Sequence, residues 1–132
     1  MATYDELPVY KASYDLLICM FRFTKDFARE YKYTVGECLK KETIELITLI
    51  YRANSRRDKQ ETIQSARERV EVIRLFVRLM KDLRQISLEK FVQVNKQIEC
   101  VSRQLTGWHR STGRPAGTPE LPAATAQASE PE

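Results

Sequence analysis

The chain has 132 residues, 42% of them hydrophobic and 30% charged, which suffices for one domain with a buried core and excludes disorder over most of its length. It contains only 4 Gly and 5 Pro, and all but one of the prolines follow position 114. So few turn residues favour long helices over a sandwich of short strands. No apolar run reaches the roughly 18 residues that span a bilayer. Residues 1–6 are acidic and show no secretory signal, so we predict a cytoplasmic protein without a membrane partner.

The cysteines, Cys19, Cys38 and Cys100, are odd in number, far apart, and form no C-x-x-C pair. We interpret them as reduced thiols that act as small apolar residues within helices. No glycine-rich phosphate loop, zinc-protease motif or hydrolase motif occurs, and the single histidine, His109, permits no histidine-based metal site or triad within one chain. These absences predict a protein that is not an enzyme and holds no cofactor.

The composition changes after Trp108, because residues 109–132 are rich in Gly, Pro, Ala, Thr and Ser. We predict that they form a disordered tail and that residues 1–108 form the folded domain. The tail holds two basic and three acidic residues, which leaves 20 basic and 15 acidic residues, a net charge of +5, on residues 1–108. The folded part is therefore the basic part.

Apolar periodicity predicts four helices, the first over about residues 8–27. This helix carries two neighbouring stripes, Tyr10, Tyr14, Leu17 and Phe21 in one and Ser13, Leu16, Met20, Phe23 and Phe27 in the other. The second helix is expected to begin at Thr34, where Thr34 and Glu37 fit a capping box, and to end at Ser55. Its apolar stripe consists of Leu39, Thr43, Leu46, Ile50 and Ala53.

The third helix is predicted over about residues 58–83 and again carries two stripes. These are Ala66, Val70, Ile73, Val77 and Met80 in one and Val72, Phe76, Leu79 and Leu83 in the other. Ser87 is the expected N-cap of the fourth helix, and Gly107 is expected to mark its frayed end. The fourth helix carries a single stripe, namely Phe91, Val94, Ile98, Val101, Leu105 and Trp108.

Short connections between the helices predict an all-α, up-down-up-down four-helix bundle, with a tandem pair of helical hairpins as the less favoured arrangement. The first and third helices carry about twice the apolar surface that one bundle face requires. We therefore predict a homo-oligomer. The alternative is that these wide apolar arcs reflect deeper burial within a monomer.

Four cations of the third helix are separated by seven, four and three residues, namely Arg67, Arg74, Arg78 and Lys81. This spacing places them within about 60° on one side of the helix. The acids of the helix are expected to be rotated away from the centre of that strip; they are Glu61, Glu68, Glu71 and Asp82. Aligned cations repel one another, so the strip favours an anion-binding surface. The alternative is an ordinary polar face on which Glu71 pairs with Arg67 or Arg74.

A second group of cations lies just before the third helix and consists of Arg52, Arg56, Arg57 and Lys59. Positive charge at a helix N-terminus opposes the helix dipole, so we interpret the group as serving binding rather than helix stability. Nearby, Tyr31 and Tyr33 alternate with Arg29 and Lys32. These tyrosines can stack on unpaired bases or fasten the loop to the bundle, and we favour the second role.

Five sequence blocks, taken in order, resemble the Avd family, the accessory variability proteins of diversity-generating retroelements. The blocks are VYKASYD at 9–15, AREYKYT at 28–34, LIYRAN at 49–54, LMKDL at 79–83 and QLTGW at 104–108. The resemblance covers about residues 7–108. More distant four-helix-bundle relatives are encoded in ribosomal-RNA intervening sequences, and they represent the alternative of a structural scaffold that makes only protein–protein contacts.

The resemblance implies a four-helix bundle that assembles into a homopentameric barrel with a basic surface. It implies a non-catalytic subunit that binds the element's reverse transcriptase and its template-repeat RNA, with DNA as a further nucleic-acid partner, and supports mutagenic cDNA synthesis and retrohoming. The family's Arg-x-x-x-Arg pair falls on Arg74 and Arg78. Arg67, Arg74, Arg78 and Lys81 are thus the first candidates for contact with RNA phosphates or the polymerase, followed by Arg52, Arg56, Arg57 and Lys59.

Overall fold

The computed structural model describes residues 7–113, which form four long helices and no strand. The helices are α1 (Pro8–Phe23), α2 (Glu37–Ser55), α3 (Gln60–Asp82) and α4 (Leu88–Thr112). Each helix packs against the next one in the chain, and α1 also packs against α4, so the four close into a bundle. Short connections make consecutive helices antiparallel. The predicted four-helix bundle is confirmed.

The connection between α1 and α2 differs from the prediction at both of its ends. Helix α1 ends at Phe23 rather than at Phe27, because the chain turns through a short 3-10 segment at Thr24–Asp26. Phe27 nevertheless stays buried and meets the ring of Phe23 edge-on at 5.5 Å between centroids.

The predicted capping box at Thr34 and Glu37 is wrong. The chain is already helical from Arg29–Tyr31 through a π-helical turn at Lys32–Gly36 before α2 begins. The Thr34 hydroxyl therefore donates to the carbonyl of Glu30 at 2.7 Å and caps nothing. Side-chain bonding to the preceding turn is the usual behaviour of threonine within a helical segment.

The other helix ends follow the prediction more closely, with one exception. The Ser87 hydroxyl accepts a hydrogen bond from the amide of Lys90 at 3.1 Å, which confirms the predicted N-cap of α4. The predicted fraying at Gly107 is wrong, because α4 continues to Thr112. Residues 109–112 therefore belong to the helix rather than to the predicted tail, and residues 114–132 lie outside the described part of the chain.

Contacts with α3 hold the last turn of α4 in place. The amide nitrogen of the Gln60 side chain donates to the carbonyl of His109 at 3.2 Å, and the Thr112 hydroxyl donates to the Gln60 side-chain oxygen at 3.3 Å. Gln60 is the first residue of α3, so these bonds join the start of one helix to the end of the next.

The core is built from one stripe of each helix. On α1 and α3, the buried stripes are the ones through Leu16 and Met20 and through Ile73 and Val77. The second stripes of these two helices are only half-buried or exposed. Ser13 is fully buried, and its hydroxyl has no hydrogen-bond partner within the described residues. None of the described helices has both the length and the apolar character needed to cross a membrane.

Candidate nucleic-acid interface

The four cations predicted on the third helix lie on the side of α3 that faces α4. We call Arg67, Arg74, Arg78 and Lys81 the α3 strip. The contacts that define its orientation are made with α4: Arg74 bonds to Glu99, and the ammonium of Lys81 lies 5.0 Å from the centroid of the Phe91 ring. The predicted one-sided arrangement of the cations is therefore confirmed.

Arg74, near the centre of the α3 strip, is held by two carboxylates. Its Nη1 donates to Glu99 Oε2 across the groove, and its Nε lies 3.3 Å from Glu71 Oε1 on its own helix. Burial alone lowers the pKa of Arg74, but the hydrogen bonds and charges of Glu99 and Glu71 outweigh it, so the pKa is raised. The side chain is 31% exposed, and its guanidinium is committed to protein partners.

The next two cations share one carboxylate. Arg78 Nε lies 3.3 Å from Asp82 Oδ2, and Lys81 Nζ lies 3.8 Å from Asp82 Oδ1. The expectation that Glu71 and Asp82 are rotated away from the strip is thus wrong, because side chains three and four residues apart on a helix are neighbours. The alternative pairing of Glu71 with Arg74 is the one that the structure contains.

Arg67, the N-terminal residue of the α3 strip, contacts uncharged side chains. Its Nη1 donates to the Gln64 side-chain oxygen at 2.9 Å and lies 3.4 Å from His109 Nδ1. Burial, followed by the positive charge of Arg67, lowers the pKa of His109. A neutral imidazole can accept a hydrogen bond from the guanidinium, whereas an imidazolium cannot. This end of the groove therefore favours neutral histidine.

The second predicted group, Arg52, Arg56, Arg57 and Lys59, lies around the turn between α2 and α3, and we call it the turn cluster. Within the described residues none of its members forms an ion pair with a carboxylate. Arg52 and Arg57 are exposed, and Arg56 Nη1 donates to the hydroxyl of Thr62 at 3.2 Å. The unpaired guanidinium groups of the two predicted regions are therefore concentrated here.

Lys59, unlike the arginines of the turn cluster, binds backbone carbonyls. Its ammonium donates to the carbonyls of Ala53 at 3.0 Å and Arg56 at 2.6 Å, at the C-terminal end of α2. A cation is stabilising there because the last carbonyls of a helix carry partial negative charge. The interpretation that none of this group serves helix stability is wrong for Lys59, since the start of α3 is also the end of α2.

Two further cations of α4 lie beside Glu99, the α4 residue that bonds to Arg74. Lys96 and Arg103 line an open groove together with Asn95 and Glu99, and neither forms an ion pair within the described residues. Their spacing of seven residues on the predicted fourth helix could have placed them on one side of it from the sequence alone. Together, α3 and α4 present six cations and four carboxylates on this surface, which we call the α3–α4 face; the carboxylates are Glu68, Glu71, Asp82 and Glu99.

Exposed apolar side chains occur on every helix. Helix α3 presents Leu75, which is 62% exposed, beside Leu79 and Leu83. The second stripe of α1 presents Tyr14 and Phe21. The remaining large exposed apolar groups on the helices are Ile44, Tyr51, Leu88 and Val92. Of the second stripes predicted on the first and third helices, Tyr14, Phe21, Leu79 and Leu83 are exposed, whereas Tyr10 and Phe76 pack against the core. The excess apolar surface is therefore only partly at the protein surface.

The two tyrosines of the α1–α2 connection have separate positions. Tyr31 is half-buried and packs against the core, which agrees with the fastening role. Tyr33 is 64% exposed. The favoured fastening role therefore fits Tyr31, while Tyr33 is exposed to solvent.

These features define the class of protein as an antiparallel four-helix bundle with a cationic face and exposed apolar surface. Within residues 7–113, no three His, Cys, Asp or Glu side chains are grouped so that they would hold a metal ion. A protein-family model described as bAvd-like matches residues 9–112. The chain therefore belongs to the bAvd-like family and is, at the level of that family, an Avd-type accessory protein. A search of curated proteins found no match.

Proposed function

We propose that this protein is a non-catalytic accessory subunit of a diversity-generating retroelement. In this role it binds the reverse transcriptase and the template-repeat RNA of the same element and supports mutagenic cDNA synthesis and retrohoming. The observation that carries the proposal is the bAvd-like match over residues 9–112, which covers all four helices.

The charge distribution supports a nucleic-acid contact. The arginines of the turn cluster, Arg52, Arg56 and Arg57, have no carboxylate partner among residues 7–113, and the α3–α4 face has more cations than carboxylates. Guanidinium groups suit phosphate oxygens because their planar fork can donate two parallel hydrogen bonds. Contacts of this kind position a nucleic acid without reading its sequence, so the polymerase and the shape of the RNA would supply specificity.

Self-association is part of the same proposal. The exposed apolar side chains form one patch on α1, with Tyr14 and Phe21, and another on α3, with Leu75 and Leu79. One copy can therefore present each patch to a different neighbour. Contacts between unlike patches generate closed rings when the rotation between subunits closes. A ring, expected to be a pentamer, repeats the turn cluster around its circumference and strengthens its field for a polyanion.

A direct test combines the purified full-length chain with the reverse transcriptase encoded beside it and with template-repeat RNA. We expect one complex that contains all three, with RNA retention that decreases as salt is raised. The control is Arg22→Gln/Lys25→Gln/Lys41→Gln, which removes three exposed cations from the end of the bundle opposite the turn cluster and should leave the complex intact. Failure to recover the polymerase at low and at moderate salt would contradict the proposal.

The oligomer is tested separately by light scattering on the wild type and on Leu75→Lys/Leu79→Lys. We expect an oligomeric mass for the wild type and a mass near 15.4 kDa for the variant, because charged groups cannot be buried in an apolar contact. Lys96→Gln/Arg103→Gln is the control, and its mass should equal that of the wild type. A wild-type mass near that of one chain in dilute solution would exclude the ring.

A second candidate function is a structural scaffold that makes only protein–protein contacts. It is favoured by the ion pairs that occupy Arg74 and Arg78 and by the exposed leucines of α3. Salt separates the two candidates, since apolar protein contacts depend little on ionic strength and phosphate contacts depend on it strongly. Binding of the polymerase without any RNA, unchanged over a salt series, would support the scaffold.

A further inference from the structure

Two carboxylates occupy three of the five N–H donors of the Arg74 guanidinium. Its Nε and Nη2 face the two oxygens of Glu71 at 3.3 and 3.5 Å, and its Nη1 donates to Glu99 Oε2. A guanidinium recognises phosphate through the same paired donors. Glu71 therefore occupies the paired Nε and Nη2 donors, and Glu99 occupies a donor of Nη1 that a phosphate oxygen could otherwise contact.

Glu99 is the more replaceable of the two carboxylates. It comes from the neighbouring helix and is 50% exposed, and it contributes one hydrogen bond where Glu71 contributes two. Lys96 lies one turn before Glu99 on α4, and Arg103 lies one turn after it. Glutamate followed by a cation four residues later is the favourable order for an ion pair on a helix. A displaced Glu99 carboxylate would thus have Arg103 as its next partner.

We propose that Glu99 is an internal anion that competes with nucleic acid for Arg74, so that it sets the affinity of the α3–α4 face for polyanions. The inference rests on the proposed function, because it concerns the same surface and the same class of ligand. Phosphate binds at Arg74 when Glu99 moves aside, and Glu71 remains beside Nε. The carboxylate therefore lowers the affinity of this face for weakly charged ligands.

The decisive variant is Glu99→Gln, which keeps the shape of the side chain and removes its charge. Exposed ion pairs contribute little to stability, so the fold is retained. Removing the competitor should strengthen binding to RNA about fivefold at moderate salt. Glu89→Gln is the matched control, since Glu89 is an exposed acid of the same helix and has no cationic partner within the described residues.

A double-variant cycle distinguishes competition at Arg74 from a general change of charge. In an Arg74→Gln background, Glu99→Gln should strengthen binding no more than Glu89→Gln does. Fluorescence anisotropy with template-repeat RNA and salt elution from heparin give two readouts for the wild type and each variant. The inference is supported when Glu99→Gln binds more tightly than Glu89→Gln and Arg74→Gln abolishes the difference.

Equal effects of Glu99→Gln and Glu89→Gln on heparin and on RNA would overturn the inference. A difference that persists in the Arg74→Gln background would also overturn it, because the effect would then not act through Arg74. If the proposed function is wrong, the result is different: neither the wild type nor any variant binds RNA. The heparin readout still tests the competition at Arg74 in that case.

Discussion

The α3 strip and the turn cluster contain the same kinds of residue and lie next to each other in the chain, yet their cations differ in whether they contact carboxylates. Three of the four strip cations contact carboxylates, and these contacts are made by Arg74, Arg78 and Lys81. In the turn cluster the arginines contact none within the described residues, and the lysine contacts carbonyls. The comparison shows that the availability of a cation depends on what its neighbours present.

The difference follows from local geometry. Within a helix, acids three and four residues away lie beside a cation, and an antiparallel neighbour adds further acids. Arg74 receives Glu71 from its own helix and Glu99 from α4 in this way. At a helix end the chain leaves this periodic arrangement, and its last carbonyls are the nearest acceptors. Lys59 binds those carbonyls, and Arg57 is exposed to solvent. Arg52 lies in the last turn of α2 and is also exposed, because no acid stands three or four residues away from it.

The largest effect is expected from Arg52→Gln/Arg56→Gln/Arg57→Gln. The variant loses three charges that have no carboxylate partner among the described residues, so RNA affinity should fall about 10- to 100-fold, and the slope of log K against log salt should become shallower by about 2 to 3. Anisotropy titrations over a salt series measure both quantities. Arg22→Gln/Lys25→Gln/Lys41→Gln removes the same charge from the other end of the bundle and should change the affinity much less. Equal losses of affinity in the two triple variants would show that the turn cluster contributes no more to RNA binding than other exposed cations do.

A smaller loss, about two- to fivefold, is expected from Arg74→Gln/Arg78→Gln, because each arginine must release a carboxylate before it can contact phosphate. Glutamine is used rather than glutamate, since an acid at position 74 would lie beside Glu71 and Glu99. The same titrations measure the loss for each charge removed. A loss per charge as large as that of the turn-cluster variant would show that the ion pairs do not limit binding.

Lys59→Met sharpens the comparison within the turn cluster. The loss of hydrogen bonds from the ammonium to the end of α2 should reduce the free energy of unfolding by about 1 kcal/mol, measured by urea denaturation. Arg57→Met is the control, and its unfolding free energy should remain within about 0.5 kcal/mol of the wild type. An unchanged unfolding midpoint for Lys59→Met would contradict the capping role.

The smallest effect concerns pH at the Arg67 end of the strip. Since the folded state lowers the pKa of His109, the unfolded chain binds more protons, and stability decreases as the pH falls below about 6.5. We expect the urea midpoint of the wild type to decrease more between pH 7.5 and 5.5 than that of His109→Gln. Identical pH dependence in the two proteins would show that burial and the charge of Arg67 together do not disfavour the imidazolium.

Much of the candidate site could be predicted from the order of residues along the helices. Spacings of seven, four and three place Arg67, Arg74, Arg78 and Lys81 on one side of α3, whatever that helix packs against. The pairing of Arg74 with Glu99 could not be predicted in this way, because the two residues are far apart in the chain and meet only through the packing of α3 on α4. The same holds for Lys59, whose partners belong to the preceding helix.

The amino-acid sequence by itself determined the four helices, their core stripes and the N-cap at Ser87, because these depend on periodicity and on bonds between near neighbours. Tertiary structure decided where two elements end: α1 stops at Phe23 so that Phe27 can reach the core, and α4 continues to Thr112 because Gln60 holds its last turn. It also brought Glu99 of α4 to Arg74, whereas Asp82 pairs with Arg78 and Lys81 within α3. Ion pairs between helices require two elements to be positioned, and no pattern within a single helix contains that information.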